Sequence, residues 1–502
     1  MSVEISKAKL SAGHDQVTSP ARTLEQWLGL GFGLFIFLGM MLAPVPDGLA
    51  PSAWVTAALA LLMISWWVTE AVPIPVTSLL PLIILPLFGV MPLREASAAF
   101  MSPINVLLIS GFIIAKGIER WNLHERIALM VVDSVGVKPP ALIAGFMLAS
   151  ALLSMWISNT ATALMMMPIA ISVARAILGD GAQSARFTVV LVLGVAYACS
   201  IGGLGTPVGS PTNLIVIGYL AELGLTVTFA DWMRLGIPVV LLLLPCAWLV
   251  LWFYGARAKT LAREMPDVRG ESVDAVIHAA RLSLGRATVP ELRTLMVFIL
   301  IALSWIFRAQ LQTIPGLALL NDQIIGVLGV VLLFIIPSGS KEERGTALLD
   351  WRTAERIPWG VFLLFGGGLS LASAITSSGL ATYLAGAFQG IDALSEVTII
   401  ATLTLLVLGL TEFTSNVATV SALMPIVGAI AAASGINALF LAAPVGLAAS
   451  CAFMLPIATG PNAVAFATGN ITMARMAMIG IRVNLLGALA IILVVSLLAP
   501  AS

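Results

Sequence analysis

The chain has 502 residues, of which 59% are hydrophobic and only 10% charged, and its 25 basic and 25 acidic residues cancel. Soluble domains carry roughly 25% charged residues, so this composition cannot clothe a water-facing surface and excludes a soluble enzyme. A net charge of zero offers no basic field for nucleic acid, and the three cysteines (Cys199, Cys246, Cys451) lie in apolar runs without zinc or redox spacing.

Residues 1–26 are polar and read as a cytoplasmic N-terminal tail with no cleavable signal. A membrane-spanning helix needs about 20 mostly apolar residues. Hydropathy predicts crossings near 27–45, 52–70, 73–92, 103–118, 187–222, 235–254, 294–311, 322–337, 358–378, 437–470 and 479–499. Two further apolar stretches, 140–177 and 396–433, each carry a polar interruption, and 255–293 is a polar loop. The 44 glycines and 27 prolines suit broken or re-entrant segments, which membrane proteins tolerate where the backbone is buried in protein.

Lysine and arginine set the orientation. With a cytoplasmic N-terminus, eleven crossings and two re-entrant hairpins, 22 of the 25 fall on the cytoplasmic side, including those of 255–293. Only Arg94, Arg234 and Arg308 fall outside, and the C-terminus is then external. A hairpin and a pair of crossings both return the chain to its starting side, so charge bias does not distinguish them.

The chain also repeats itself. Residues 158–169 read SNTATALMMMPI and residues 415–426 read SNVATVSALMPI. Each is followed by a second signature, GSPTN (Gly209 to Asn213) and ATGPN (Ala458 to Asn462), and each is preceded by a proline opening an apolar span, Pro103 and Pro358. These three pairs lie 257, 249 and 255 residues apart. With an odd number of crossings between the copies, the two halves have opposite hands. That is the inverted-topology duplication that supports alternating access to a midplane site.

Ser-Asn-Thr at a hairpin tip has a chemical reading. A tip at membrane depth leaves backbone groups without helical partners, at several kcal/mol each unless protein, water or ligand satisfies them. The helix that follows turns its positive end toward the tip, where amide and hydroxyl donors also gather, so an anion is favoured there. The carbonyl end of the incoming arm suits a hard cation such as sodium. Gly209, Pro211, Gly460 and Pro461 interrupt apolar spans in the manner of discontinuous transporter helices. No lysine or arginine lies in either tip or break, so an anionic substrate would be balanced by helix ends, amides and co-transported cations.

Other features carry plainer readings. A lone Ser-Asn-Thr is ordinarily an N-cap or an interhelical hydrogen bond. GGLGTPVGSPTN lacks the Gly-Lys-Ser/Thr ending of a phosphate loop and follows no strand. Gly366, Gly367 and Gly368 read as a close helix approach. His124, in an amphipathic stretch, reads as interfacial. Glu70 ends its span, whereas Glu412 lies at depth and either balances sodium or hydrogen-bonds within the hairpin. Without a catalytic constellation in the spans, the chain reads as a transporter and not an intramembrane enzyme.

The paired Ser-Asn-Thr and Ser-Asn-Val motifs, ERWNLHERIAL (Glu119 to Leu129), GSPTN and SCAFMLPIATGPNAVAF (Ser450 to Phe466) resemble the divalent anion–sodium symporter family over essentially the whole chain after residue 25. The resemblance implies an all-α polytopic homodimer in the bacterial inner membrane, working by an elevator motion of a transport domain against a scaffold. Residues 27–102 and 235–357 would supply scaffold helices. Residues 103–234 would form the first repeat core, with hairpin 140–177 and broken helix 187–222. Residues 358–502 would form the second, with hairpin 396–433, broken helix 437–470 and the last helix. The resemblance implies one sodium site at Ser154, Ser158, Asn159 and Gly209 and another at Thr411, Thr414, Asn416 and Ala458. It implies dicarboxylate contacts from Ser158, Asn159, Thr160, Ser210, Pro211, Ser415, Asn416, Val417 and Thr459. Val417 replaces a threonine carried by some relatives, and Gly460 stands where relatives often have proline. The expected activity is sodium-coupled import of C4-dicarboxylates (succinate, malate, fumarate) without an organic cofactor. Sodium-independent dicarboxylate exchange (2-oxoglutarate or tartrate for succinate) and sulfate or citrate transport are the alternatives.

Overall fold

The computed structural model describes residues 22–136, 138–178, 182–256, 279, 282, 284–387 and 393–498. Most of the expected N-terminal tail and of the 255–293 loop lies outside these residues. Among the described residues the fold is all-helical apart from a single bridge between Pro337 and Ala347, and eight helices are long and apolar enough to cross a membrane.

The chain opens with α1 (Leu24–Leu42), started by a capping box in which Thr23 accepts from the Gln26 amide and Gln26 returns the bond. Next come α2 (Pro51–Thr69), α3 (Ile74–Thr77) and α4 (Pro81–Leu87). The expected crossing at 73–92 is therefore not one helix. Pro73, Pro75, Pro81 and Pro86 cannot donate within a helix and restrict the residues before them, so the segment folds as two short pieces. After α5 (Pro103–Arg120) and α6 (Leu123–Val135) comes the first interrupted stretch, α7 (Pro139–Ser154) and α8 (Asn159–Leu178). The expected 187–222 span divides into α9 (Ala182–Gly202) and α10 (Pro211–Glu222). The long α11 (Phe229–Ala256), α12 (Val289–Ile306) and α13 (Asp322–Ile335) lead to the second half.

That half copies the order of the first. It runs α14 (Trp359–Ser377), α15 (Leu380–Ala387), α16 (Glu396–Thr411), α17 (Asn416–Ser434), α18 (Ala438–Ala449), α19 (Gly460–Ala467) and α20 (Met473–Leu498). The glycine run of α14 makes the close approach expected of it. A Cβ on Gly366 would stand 2.1 Å from the Phe100 ring, and one on Gly367 would stand 2.1 Å from the Ser78 carbonyl oxygen.

The packing repeats as well. The first half of each broken helix lies against both arms of its own hairpin, α9 on α7 and α8, α18 on α16 and α17. The second half crosses to the other repeat. Helix α10 packs on α17 and α18, and α19 packs on α8 and α9. Each repeat thus completes the other's core, and the tips and breaks are brought to one centre. A smaller apolar cluster joins α2 and α4 to Leu364, Leu371 and Leu380 of α14 and α15.

Candidate functional site

Both hairpin tips are closed by the same bonds. The Ser158 carbonyl accepts from the Thr162 amide and the Ser415 carbonyl accepts from the Thr419 amide, each at 2.9 Å. The last hydroxyl of each incoming arm holds its tip to the neighbouring broken helix. Ser154 Oγ lies 2.7 Å from the Cys199 carbonyl oxygen and against the Asn159 amide. Thr411 Oγ1 lies 2.8 Å from the Ala449 carbonyl oxygen and 2.7 Å from Asn416 Oδ1. A hydroxyl has one proton and cannot donate to both partners at once.

The Asn159 amide sharpens that point. Its terminal atom next to Ser154 lies 3.1 Å from the Gly209 carbonyl oxygen and 3.3 Å from that of Cys199. With nitrogen there, the amide donates to both. With oxygen there, Asn159, Ser154, Cys199 and Gly209 form an all-oxygen cluster of the kind that hard cations prefer. Glycine permits this approach. A Cβ on Gly203 would stand 2.8 Å from both terminal atoms of the Asn159 amide, and one on Gly209 would stand 2.7 Å from the Gly203 carbonyl oxygen.

The breaks are braced from within by two residues that sequence reasoning noted only as motif ends. Asn213 Nδ2 donates to the Gly203 and Thr206 carbonyls, both at 2.8 Å. Asn462 Nδ2 donates to the Ala452 and Leu455 carbonyls, both at 3.0 Å. The offsets are the same in the two copies, ten and seven residues back. These amides replace lost helical bonds and hold the breaks open. The amide groups of the breaks differ. In the first, the Gly203, Leu204 and Gly205 N–H groups turn back onto local carbonyls. In the second, the Phe453, Met454 and Leu455 N–H groups all donate to Glu412, at 2.9 to 3.2 Å, and Asn484 Nδ2 adds a bond of 2.6 Å. Glu412 is 2% exposed, and its hydrogen bonds leave the hairpin for the second break and the last helix, not the partners within the hairpin that the sequence suggested.

The tips and breaks line one cavity of about 1060 Å³. All the residues named for substrate and sodium line it except Ser154 and Thr411, which are fully buried directly behind the tips. Ser415 and Ser210 start α17 and α10 without a side-chain cap, leaving the first N–H groups unclaimed by side chains, whereas Thr459 caps α19 by accepting from the Asn462 amide at 3.2 Å. Thr414 Oγ1 is bonded to the Leu410 carbonyl and the Thr419 hydroxyl. Two hydroxyls missed in the sequence also line the cavity. Thr212 and Ser450 join Ser210 in a ring of contacts of 2.8, 2.8 and 3.1 Å that ties the first break to the second repeat. Gly460 meets the first tip directly, since a Cβ there would stand 2.0 Å from Thr160 Oγ1.

No lysine or arginine stands among the tips and breaks, but the cavity extends to a charged mouth formed by Glu25, Glu70, Lys116, Glu119 and Arg356. These residues sit at the start of α1, the ends of α2 and α5 and just before α14. His124 lies apart from the cavity on α6, where burial pushes its pKa below the usual histidine value.

The family described as sodium:sulfate symporter transmembrane region matches residues 24–499. A sodium-dependent dicarboxylate transporter, SdcS, of Staphylococcus saprophyticus is 38% identical over 485 residues, covering 95% of this chain and 92% of the relative. SdcS of Staphylococcus aureus strain USA300 is 37% identical over 493 residues, covering 95% and 91%. Among solved structures, Neisseria gonorrhoeae MtrF superposes with a TM-score of 0.56 at 11% identity, covering 96% of both chains. The YdaH transporter of Alcanivorax borkumensis superposes with a TM-score of 0.57 at 13% identity, covering 94% of this chain and 98% of its own. At such identities the superpositions speak to fold alone.

Proposed function

Because the chain belongs to the sodium:sulfate symporter transmembrane-region family, we propose that it imports C4-dicarboxylates across the bacterial inner membrane in symport with sodium. One observation carries the substrate class: both tips and both breaks of a duplicated core converge on one cavity whose depth offers amides, hydroxyls and helix starts but no fixed cation. Such a site holds a dianion only when mobile cations accompany it. The relatives named for sodium-dependent dicarboxylate transport agree with this reading.

Sodium binds first in the proposed sequence. One ion is held by Ser154, Ser158, Asn159 and the Gly209 carbonyl, the other by Thr411, Thr414, Asn416 and the Ala458 carbonyl. Each displaces the hydroxyl-to-amide contact behind its tip and fixes the asparagine for the substrate. The dianion then bridges the tips through Ser158, Asn159, Thr160, Ser415 and Asn416, beside Val417, with Ser210, Pro211 and Thr459 at the breaks. Two sodium ions make the load electroneutral. A third would render import electrogenic, at about 2.3 kcal/mol per charge for 100 mV.

The division into scaffold (27–102, 235–357) and transport cores (103–234, 358–502), the inverted hairpins, the elevator motion and the homodimer belong to the same proposal. The mouth is consistent with the proposed topology. The four helix ends that meet there are ones that charge bias places together in the cytoplasm, so in the proposed orientation, with an external C-terminus, the cavity opens inward.

The test is uptake of labelled succinate into proteoliposomes, with external sodium replaced by choline. Uptake should vanish in choline. Counterflow that persists there establishes sodium-independent exchange instead. Sulfate is the second reading, favoured by the family description and by the same donor set. Its competition at lower concentration than succinate would replace the dicarboxylate.

A further inference from the structure

Among the described residues, several buried side-chain oxygens have no hydrogen-bond partner, but only one belongs to a residue lining the cavity: Ser200 Oγ, on a side chain 1% exposed. A buried serine in a membrane helix ordinarily returns its proton to a carbonyl one turn back. Ser200 makes no such bond, so its hydroxyl bears the desolvation cost of an unmade bond.

The duplication explains why it is free. The Cys199 carbonyl meets Ser154 as the Ala449 carbonyl meets Thr411, so the next residues, Ser200 and Ser450, are equivalents. Ser450 is satisfied across the repeats by Ser210 and Thr212. The corresponding residues of the second break are Thr459 and Pro461, since the bracing asparagines Asn213 and Asn462 fix the register. Thr459 Oγ1 is turned to the Asn462 amide as the helix cap, and Pro461 has no hydroxyl at all. Helix α9, which bears Ser200, packs on α19 just as α10 packs on α18. Ser200 therefore faces the second break from the position Ser450 occupies toward the first, but makes none of the hydrogen bonds that Ser450 makes.

We propose that Ser200 is a further substrate-binding residue, whose hydroxyl donates to the carboxylate that lies toward the second break. The inference rests on the dicarboxylate reading above. It gives the site a donor that the symmetric half consumes internally, and so an unequal pair of ends for the dianion.

The test is Ser200→Ala in proteoliposomes with labelled succinate and saturating sodium. The KM for succinate should rise about tenfold, while maximal rate and the sodium concentration for half-activation stay within about twofold. In detergent, ligand-free melting should hold or rise, because an unpaired buried hydroxyl is removed and no internal bond is lost, and the added stability conferred by succinate should shrink. Ser200→Gly, which also lacks the hydroxyl, should raise the succinate KM alike, while its weaker helix propensity lowers its own ligand-free melting slightly. An unchanged succinate KM overturns the proposal. So does a shift confined to sodium activation, which would make Ser200 a cation ligand. Lowered ligand-free melting of Ser200→Ala, or failure of both variants to fold, would show a structural role and equally overturn it. If the unaltered protein does not take up succinate with sodium, the functional reading fails instead, and the two failures are distinct.

Discussion

Removing the Glu412 carboxylate should destabilise the transporter without redefining its ion dependence. Its two oxygens accept from three successive backbone amides and from Asn484, and the residue is buried. In Glu412→Gln one oxygen can keep Phe453, Met454 and Asn484, but the new NH2 then opposes the Leu455 amide. That amide is orphaned at about 1–3 kcal/mol, and each retained bond drops from a charge-assisted to a neutral one, about 1 kcal/mol less. The loss totals roughly 4–6 kcal/mol. At somewhat under the roughly 2–4 °C per kcal/mol of a 150–250-residue domain, the melting midpoint in detergent, followed by tryptophan fluorescence, should fall on the order of 5–10 °C. Glu412→Ala should do worse and fail to yield monodisperse protein. Any Glu412→Gln protein that survives reconstitution should keep the sodium concentration for half-maximal uptake. Unchanged melting combined with altered sodium activation would refute the reasoning and make Glu412 a counter-charge for sodium.

Asn159→Ala and Asn416→Ala should each abolish sodium-dependent uptake, at least a hundredfold by initial rate, while eluting as folded protein; normal transport by both removes the site. Gly460→Ala should cost tenfold or more in uptake because the new methyl collides with Thr160, and Thr160→Gly in the same chain should restore part of it; no effect of Gly460→Ala would show that the contact yields freely. His124 is held below its ordinary pKa of 6.5 by burial, so the unfolded chain binds its proton first as pH falls and stability drops below about pH 6.5. His124→Gln should flatten that drop in a pH series of melting curves, leaving uptake at pH 7 within twofold; a dead variant would mark a proton relay instead.

Much of this molecule could be read before any coordinates. The excess of apolar residues dictates helices in a bilayer, because only there do so few charges suffice and only helices or closed barrels satisfy the backbone. The Ser-Asn pairs and the asparagines that end GSPTN and ATGPN announced the duplication, because the same local turn needs the same residues twice. The prolines of 73–92 were equally visible, yet hydropathy alone merged α3 and α4 into one span, since it weighs apolarity and not donor loss. What the linear pattern could not contain was the use of each polar group. Asn213 and Asn462 stand in the most conspicuous motifs and serve as braces, while Ser200 sits unremarked in an apolar run and Glu412, visible as an acid at depth, gave no sign of its partners. One keeps a free hydroxyl and the other holds three amides. Hydrogen bonds between residues from about forty to two hundred and forty positions apart are decided by how α10 and α19 cross between the repeats, and that crossing exists only once the chain has packed.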